Sequence, residues 1–269
     1  MPQDPAANPQ AAQPPTAAGR WAWPRWTAHR GAGRLAPENT LAAFRVGAAH
    51  GFRAFECDVK LSADGQLFLL HDATLERTTP AHGTAGDRPW SELSRLDAGS
   101  WHSRAYAGEP MPSLEAIAAY VQRNGYALNI EIKPTPGAEL DTGRAVGAWC
   151  RDHWAEDRSP LLFSSFRPEA LQGAMAAAPA IPRALLLDEL WSGWPAVARS
   201  LACVAVVTNH KLMDASLQQQ LDGLGLRALC YTVNEAADAR RLMALGIDGL
   251  ITDAVDRYSP APDGGVVLD

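Results

Sequence analysis

FECDVKLSADGQLFLLHD, residues 55–72, decides how the rest of the chain is read. Its centre, Ser62-Ala63-Asp64-Gly65, is a tight-turn signal in which Asp-Gly is the strongest element. Two apolar runs joined by so short a link must lie antiparallel, because parallel strands need a long crossover. The runs are expected to span 52–61 and 66–70. With pairing centred on the turn, Asp58 falls opposite His71, and Glu56 shares the face of Asp58 through the two-residue period. Cys57 and Val59 point the other way. An unpaired buried polar or charged group costs on the order of several kcal/mol. Two acids and a histidine gathered at one end of a hairpin therefore require either water or a positive charge among them.

Outside this hairpin the pattern alternates. Short apolar runs at 26–28, 127–133, 161–165, 183–188, 203–207, 227–234 and 248–252 are separated mostly by Ala-rich stretches of helical length. A helix is expected from about Thr40 to His50, with Asn39 as its N-cap. Strands alternating with helices imply a parallel sheet. About eight such units fit a TIM-type (β/α)8 barrel, broken by the hairpin after its second strand, better than a doubly wound sheet. No GxGxxG or Walker sequence follows an early strand, which argues against a nucleotide-binding fold. Residues 73–112 show no clear period and hold several Gly and Pro, and read as an inserted lid beside the mouth. Residues 1–23 and 259–269, rich in Pro with Ala or Gly, are expected to be disordered tails around a domain at 24–258.

With 269 residues and 47% hydrophobic composition, the chain can bury a large core. A net charge of −6 and the absence of any basic block argue against nucleic acid as a partner. The start has neither a basic n-region nor an apolar core and is not a secretory signal. No run of 18 apolar residues occurs, so no membrane span is expected. Cys57, Cys150, Cys203 and Cys230 lack paired spacing and read as reduced thiols of a cytoplasmic protein.

Polar groups cluster at the ends of the expected strands, where barrel active sites are built. They are His29-Arg30, Glu56 with Asp58, His71-Asp72, and Glu131 with Lys133. Taken singly, each has a structural reading: a surface carboxylate, a helix cap, an Arg30–Glu38 ion pair, a solvated Lys133. Convergence of several segments on one end overrides those readings. Glu56, Asp58 and Glu131, with no cysteine on their face of the strands, suit one hard divalent cation, Mg²⁺ or Ca²⁺. Arg30 and Lys133 beside them suit a phosphoryl group. His29 and His71 can divide the proton work, one accepting from a nucleophile and the other donating to a leaving oxygen. Such a set fits a phosphodiester.

The ordered motifs His29-Arg30-Gly31, Pro37-Glu38-Asn39-Thr40, Glu56-Cys57-Asp58-Val59, His71-Asp72 and Glu131-Ile132-Lys133 resemble those of the glycerophosphodiester phosphodiesterases. Tyr231-Thr232-Val233-Asn234 and the segment Gly246 to Asp253 continue the resemblance, which covers about residues 24–258. The stretch after Asp72 looks like the insertion of the family's bacterial cytoplasmic branch. The resemblance implies a TIM barrel that releases sn-glycerol 3-phosphate and an alcohol from deacylated phospholipid headgroups. It makes His29 and His71 the acid/base pair, Glu56, Asp58 and Glu131 the metal ligands, and Arg30 and Lys133 the phosphate contacts. It further implies attack by the glycerol 2-hydroxyl and a cyclic phosphate that water opens. Tyr231 stands where the family usually has Trp, implying a smaller, more polar wall against glycerol. Arg34 intrudes where small residues are preferred. The expected partner is a small-molecule glycerophosphodiester, and association into a homo-oligomer is compatible with this reading. The competing readings are a lysophospholipase D-like phosphodiesterase and a non-catalytic phosphodiester-sensing barrel.

Overall fold

The structure, a computed structural model, describes residues 23–155, 159–258 and 260. The strands are β1 (Trp26–Ala28), β2 (Ala54–Leu61), β3 (Leu67–Leu69), β4 (Ala127–Ile132), β5 (Leu161–Ser165), β6 (Arg183–Leu187), β7 (Ala205–Asn209), β8 (Arg227–Tyr231) and β9 (Gly249–Thr252). The helices are α1 (Leu41–Ala49), α2 (Trp90–Leu93), α3 (Leu114–Asn124), α4 (Glu139–His153), α5 (Pro168–Ala177), α6 (Trp194–Ser200), α7 (Ala215–Leu224) and α8 (Ala236–Ala244). All strands except β3 pair in parallel in the order β1-β9-β8-β7-β6-β5-β4-β2, and β1 also bonds β2, closing the ring. This is the expected TIM-type barrel.

Local chemistry sets the element boundaries. Ser113 and Asp214 accept hydrogen bonds from the first turns of α3 and α7, and both helices stop at a left-handed glycine, Gly125 and Gly225. α1 departs from expectation. Its N-cap is Thr40, whose hydroxyl accepts from the Ala43 amide, while Asn39 has a φ of 61° and serves elsewhere.

Two apolar layers build the barrel. Outward residues such as Phe55, Cys57 and Val59 on β2 pack beneath the helices. Small inward residues, Ala54, Ala127, Ala184 and Ala205 among them, fill the interior with Leu162 and Leu229. Trp23, which the sequence assigned to the tail, is buried against this interior cluster and donates to the Thr27 hydroxyl at 3.1 Å. Residues 1–22, 259 and 261–269 of the expected tails lie outside the described residues.

β1 touches β2 at one register position, Ala28 opposite Phe55, so the upper edge of β2 is left free. β3 covers it, pairing antiparallel as Val59–Leu69, Lys60–Phe68 and Leu61–Leu67. The register is one residue from the expected one. Ser62 donates its amide to Gln66, leaving a three-residue loop in which Gly65 takes a φ of 85°. Leu70, not His71, therefore faces Asp58, with its amide on the Asp58 carbonyl at 3.1 Å. β3 ends at Leu69, so His71 is free of strand alternation and still sits within the field of Asp58.

The segment after β3 folds on a small core in which Leu75, Ala85, Leu93, Ala98 and Met111 pack with Phe68 of β3 and Leu70. It is tied to the barrel around the mouth. Asp64 accepts from the Trp90 amide, Glu109 accepts from the Ala42 amide of α1, and a ring nitrogen of His102 bonds the Arg34 carbonyl. The Arg34 side chain is exposed. Cys57, Cys150 and Cys230 are buried, and all four cysteines are unpaired.

Candidate active site

Glu56 and Asp58 alternate on β2, and Asp58 stands beside Glu131 in the register of β2 and β4. All three are buried, at 2%, 1% and 8% exposure. One carboxylate oxygen from each lies within 4.8 Å of the others. Burial and the Asp58 charge push the Glu56 carboxyl up to about 8. Burial and Asp58 also raise Glu131, against the opposing pull of Lys133. Burial would raise Asp58 too, but Arg30, Lys133, His71 and Asn39 outweigh it and hold the carboxyl well below the usual range. Glu56 Oε1 and Asp58 Oδ1 are buried without a hydrogen-bond partner. Three hard oxygen donors with two orphaned atoms fit a divalent cation, and Glu56, Asp58 and Glu131 are the residues that could hold it.

Asn39 answers how Asp58 is aimed. Its amide donates to Asp58 Oδ2 at 2.8 Å, and its carbonyl accepts from the Asp58 amide at 3.1 Å. Its left-handed backbone lets one side chain make both bonds, and Asn tolerates that region better than most residues. Asn39→Ala should cost about 2–4 kcal/mol of metal-free stability, from an orphaned buried amide and left-handed strain. Asn39→Gly keeps the first loss and relieves the second. Denaturant unfolding in chelator checks this, and equal costs for the two variants would remove the backbone contribution.

His29 follows β1, and its Nδ1 lies 2.6 Å from Asp253 Oδ1 while Nε2 lies 3.8 Å from Glu56 Oε2. Burial pulls its pKa down, but the Asp253 hydrogen bond and the Glu56 charge prevail and raise it. Asp253, just after β9, is held in turn by the Asn234 amide at 3.0 Å. Asp253 and the β1–α1 loop are in close contact, since a side chain at Gly33 would collide with the Asp253 backbone. His71 Nδ1 lies 2.7 Å from Asp72 Oδ1, and burial lowers its pKa, with Arg30 and Lys133 adding to that and Asp58 opposing. Each ring thus has its Nδ1 fixed by a carboxylate.

Arg30 has a φ of 49° and gives its amide to Glu56 Oε2 at 3.0 Å. Its guanidinium binds Glu38 at 2.9 Å and lies 3.3 Å from Asp58, so the Glu38 pair and the site contact coexist. Lys133 reaches Glu131 at 2.7 Å and Asp58 at 3.5 Å, with its ammonium 5.5 Å from the Phe166 ring centre. Tyr231, at the end of β8, packs edge-on against Phe166 and donates to the Leu187 carbonyl at 3.2 Å. Buried Lys60 donates to the Lys133 carbonyl at 3.0 Å.

The same end of one barrel therefore holds an acid trio, two cations and two braced histidines. A sequence model of the glycerophosphoryl diester phosphodiesterase family matches residues 29–257. The chain belongs to that family. Similarity to its curated members runs nearly end to end: 31% identity over 234 residues with the glycerophosphodiester phosphodiesterase of Caldanaerobacter subterraneus subsp. tengcongensis, covering 84% of this chain and 92% of that one. The corresponding protein of Bacillus altitudinis is 30% identical over 244 residues, covering 86% and 94%. Among solved structures, an Oleispira antarctica phosphodiesterase in complex with the product sn-glycerol-3-phosphate matches with a TM-score of 0.82 at 35% identity, covering 86% of this chain and 93% of that one. The glycerophosphodiester phosphodiesterase of Agrobacterium tumefaciens str. C58 matches with a TM-score of 0.72 at 28% identity, covering 86% and 97%. A glycerophosphodiester phosphodiesterase is a phosphoric diester hydrolase, and that is the enzyme class of this chain.

Several supporting residues had no assigned role in the sequence. Asp253 and Asn234 lay inside quoted motifs, Asn39 read as a cap, and Glu38 read as a structural partner for Arg30. A polar residue immediately after a barrel strand was the one available signal for Asp253.

Proposed function

We propose that the chain hydrolyses glycerophosphodiesters to sn-glycerol 3-phosphate and an alcohol, using one divalent cation, Mg²⁺ or Ca²⁺, held by Glu56, Asp58 and Glu131. The observation that carries this reading is the trio of buried acids flanked by Arg30 and Lys133 and bracketed by two carboxylate-braced histidines. When bound, the cation supplies charge stabilisation at the phosphoryl oxygens. Arg30 and Lys133 bind and orient the same group, and Tyr231 forms a wall for the glycerol moiety. His29, made more basic chiefly by Asp253, takes the proton of the attacking hydroxyl at Nε2. His71, made more acidic by burial, gives a proton to the departing oxygen. The insertion at 73–112 acts as the lid, and residues 24–258 form the catalytic unit. Four unpaired cysteines support a cytoplasmic location. Among the described residues no helix is long and apolar enough to cross a membrane.

A second reading, lysophospholipase D-like action, draws support from one observation. The exposed large hydrophobic residues, Trp101 at 40%, Leu190 at 46% and Trp191 at 36%, lie in the insertion and in the loop after β6, both on the mouth side of the barrel. A coupled assay for glycerol 3-phosphate release over a headgroup panel, with a lysophospholipid arm read by free alcohol, separates the readings and also tests for a non-catalytic barrel. Release should fall about 10²-fold or more in chelator, since Lewis-acid stabilisation is worth several kcal/mol. It should return with Mg²⁺ or Ca²⁺. Undiminished release in chelator would remove the metal from the reaction.

A further inference from the structure

We infer that Arg77, carried by the insertion, is a positioning residue that fixes the phosphate-holding Arg30 and the proton donor His71 through one shared guanidinium. The inference rests on the functional reading above. Arg77 Nε and Nη2 donate to the two oxygens of Asp72 at 2.6 and 3.0 Å, and Nη1 and Nη2 donate to the two oxygens of Glu38 at 2.7 Å each. Asp72 Oδ1 is the atom that meets His71 Nδ1, and Glu38 Oε1 is the atom that accepts from Arg30 Nη1. A continuous chain thus runs Arg30–Glu38–Arg77–Asp72–His71, from the β1–α1 loop to the exit of β3.

A surface ion pair is ordinarily worth little, and the Arg77 side chain is 43% exposed. This one differs in geometry and in what it holds. It makes two bidentate, charge-assisted contacts, the arrangement that a planar five-donor fork provides and an ammonium does not. Its partners are less exposed than it is, at 13% for Glu38 and 30% for Asp72. Without Arg77, Asp72 would keep His71 as its remaining side-chain partner and lose the contacts that set its plane. The imidazole would then lose a fixed orientation toward the leaving oxygen. Glu38 would keep Arg30 but lose its second anchor. The insertion is thereby a supplier of orientation to groups of the barrel, in addition to covering them.

Loss of a group that orients a reacting side chain typically costs about 10–100-fold. The test is steady-state kinetics of Arg77→Ala and Arg77→Lys on a choline diester, each made in the wild-type and in the His71→Ala background, with thermal unfolding of every variant. Arg77→Ala should lower kcat about 10–100-fold in the wild-type background and add little in the His71→Ala background, because the group it positions is already gone. KM should rise in both backgrounds through Arg30. Arg77→Lys should recover part of kcat, since an ammonium can serve one carboxylate of the two. Arg88→Ala, which breaks an exposed pair with Glu92 in the same insertion, should leave all values unchanged. An equal kcat loss in both backgrounds, or no loss at all in a folded variant, would overturn the inference. If Arg77→Ala does not fold, Arg77→Lys in the two backgrounds makes the same comparison, and the same two results count for or against. An inactive wild type would overturn the functional reading and this inference together, whereas an active wild type with an indifferent Arg77 overturns this inference alone.

Discussion

His71→Ala should lose about 10²–10⁴-fold on a choline or ethanolamine diester, the usual worth of general acid–base catalysis, and far less on a nitrophenyl ester. Choline and ethanolamine depart as basic alkoxides and need a proton as the bond breaks. A nitrophenolate delocalises its charge and does not. In the proposed role, the Asp72 contact fixes Nδ1 of His71, and its lowered pKa would make the protonated ring a stronger acid. His29→Ala should suffer on both esters, because the attacking hydroxyl must lose its proton whichever group leaves. The 2.6 Å contact to Asp253 raises the proton affinity of His29, which suits a base. Equal losses on the two esters for His71→Ala would show that it is not the donor. Rescue of His29→Ala by the good leaving group, with His71→Ala failing on both, would exchange the roles.

Glu56→Gln and Asp58→Asn should both abolish cation-dependent turnover, as should Glu131→Gln, yet the first two should move metal-free stability in opposite directions. In the folded protein the Glu56 carboxyl is pushed up to about 8 by burial and by Asp58. A carboxyl raised on folding contributes most when protonated, below its unfolded value, and that contribution is lost as pH rises toward 8. Metal-free wild type should therefore lose stability from this group as pH rises from about 4.5 toward 8. Glu56→Gln should remove that decline and unfold later than wild type at pH 8 in chelator. Asp58 is shifted down, so its contribution is present above the usual carboxylate range and lost as pH falls. Asp58→Asn strips Arg30 and Lys133 of a buried partner and should destabilise at neutral pH by roughly 3–5 kcal/mol, as for one half of a buried pair. Denaturant midpoints across pH in chelator measure both effects. A pH-independent midpoint difference between wild type and Glu56→Gln would remove the strained acid from the account.

The ring of strands was legible because short apolar runs alternating with stretches of helical length are local properties. Leu161–Ser165 was bounded correctly for that reason. The gathering of Glu56, Asp58, Glu131, Arg30, Lys133, His29 and His71 at one end was legible as well, since each lies within or just after such a run. What escaped was geometry that no local pattern encodes. The hairpin register slipped by one because Gly65 in a left-handed conformation absorbs a residue into the loop. Asn39 read as a helix cap because Asn is a good one, while its actual task depends on a positive φ and on a strand 19 residues away. Arg77 meets Glu38 across 39 residues, and neither spacing nor composition foretells that pairing.

His29 and Asp253 are separated by 224 residues and stand just after the first and last strands of the ring. The acid trio is complete by Glu131, in the first half of the chain, but the brace on His29 waits for the end. Domains generally fold as units, and roughly 5–20 residues emerge from the ribosome per second. A nascent chain therefore passes through a stage in which Glu56, Asp58 and Glu131 have been synthesised while His29 still lacks Asp253. The seam of the barrel thus makes the brace on His29 depend on ring closure, because a chain in which the last strand has not paired with the first lacks the Asp253 contact.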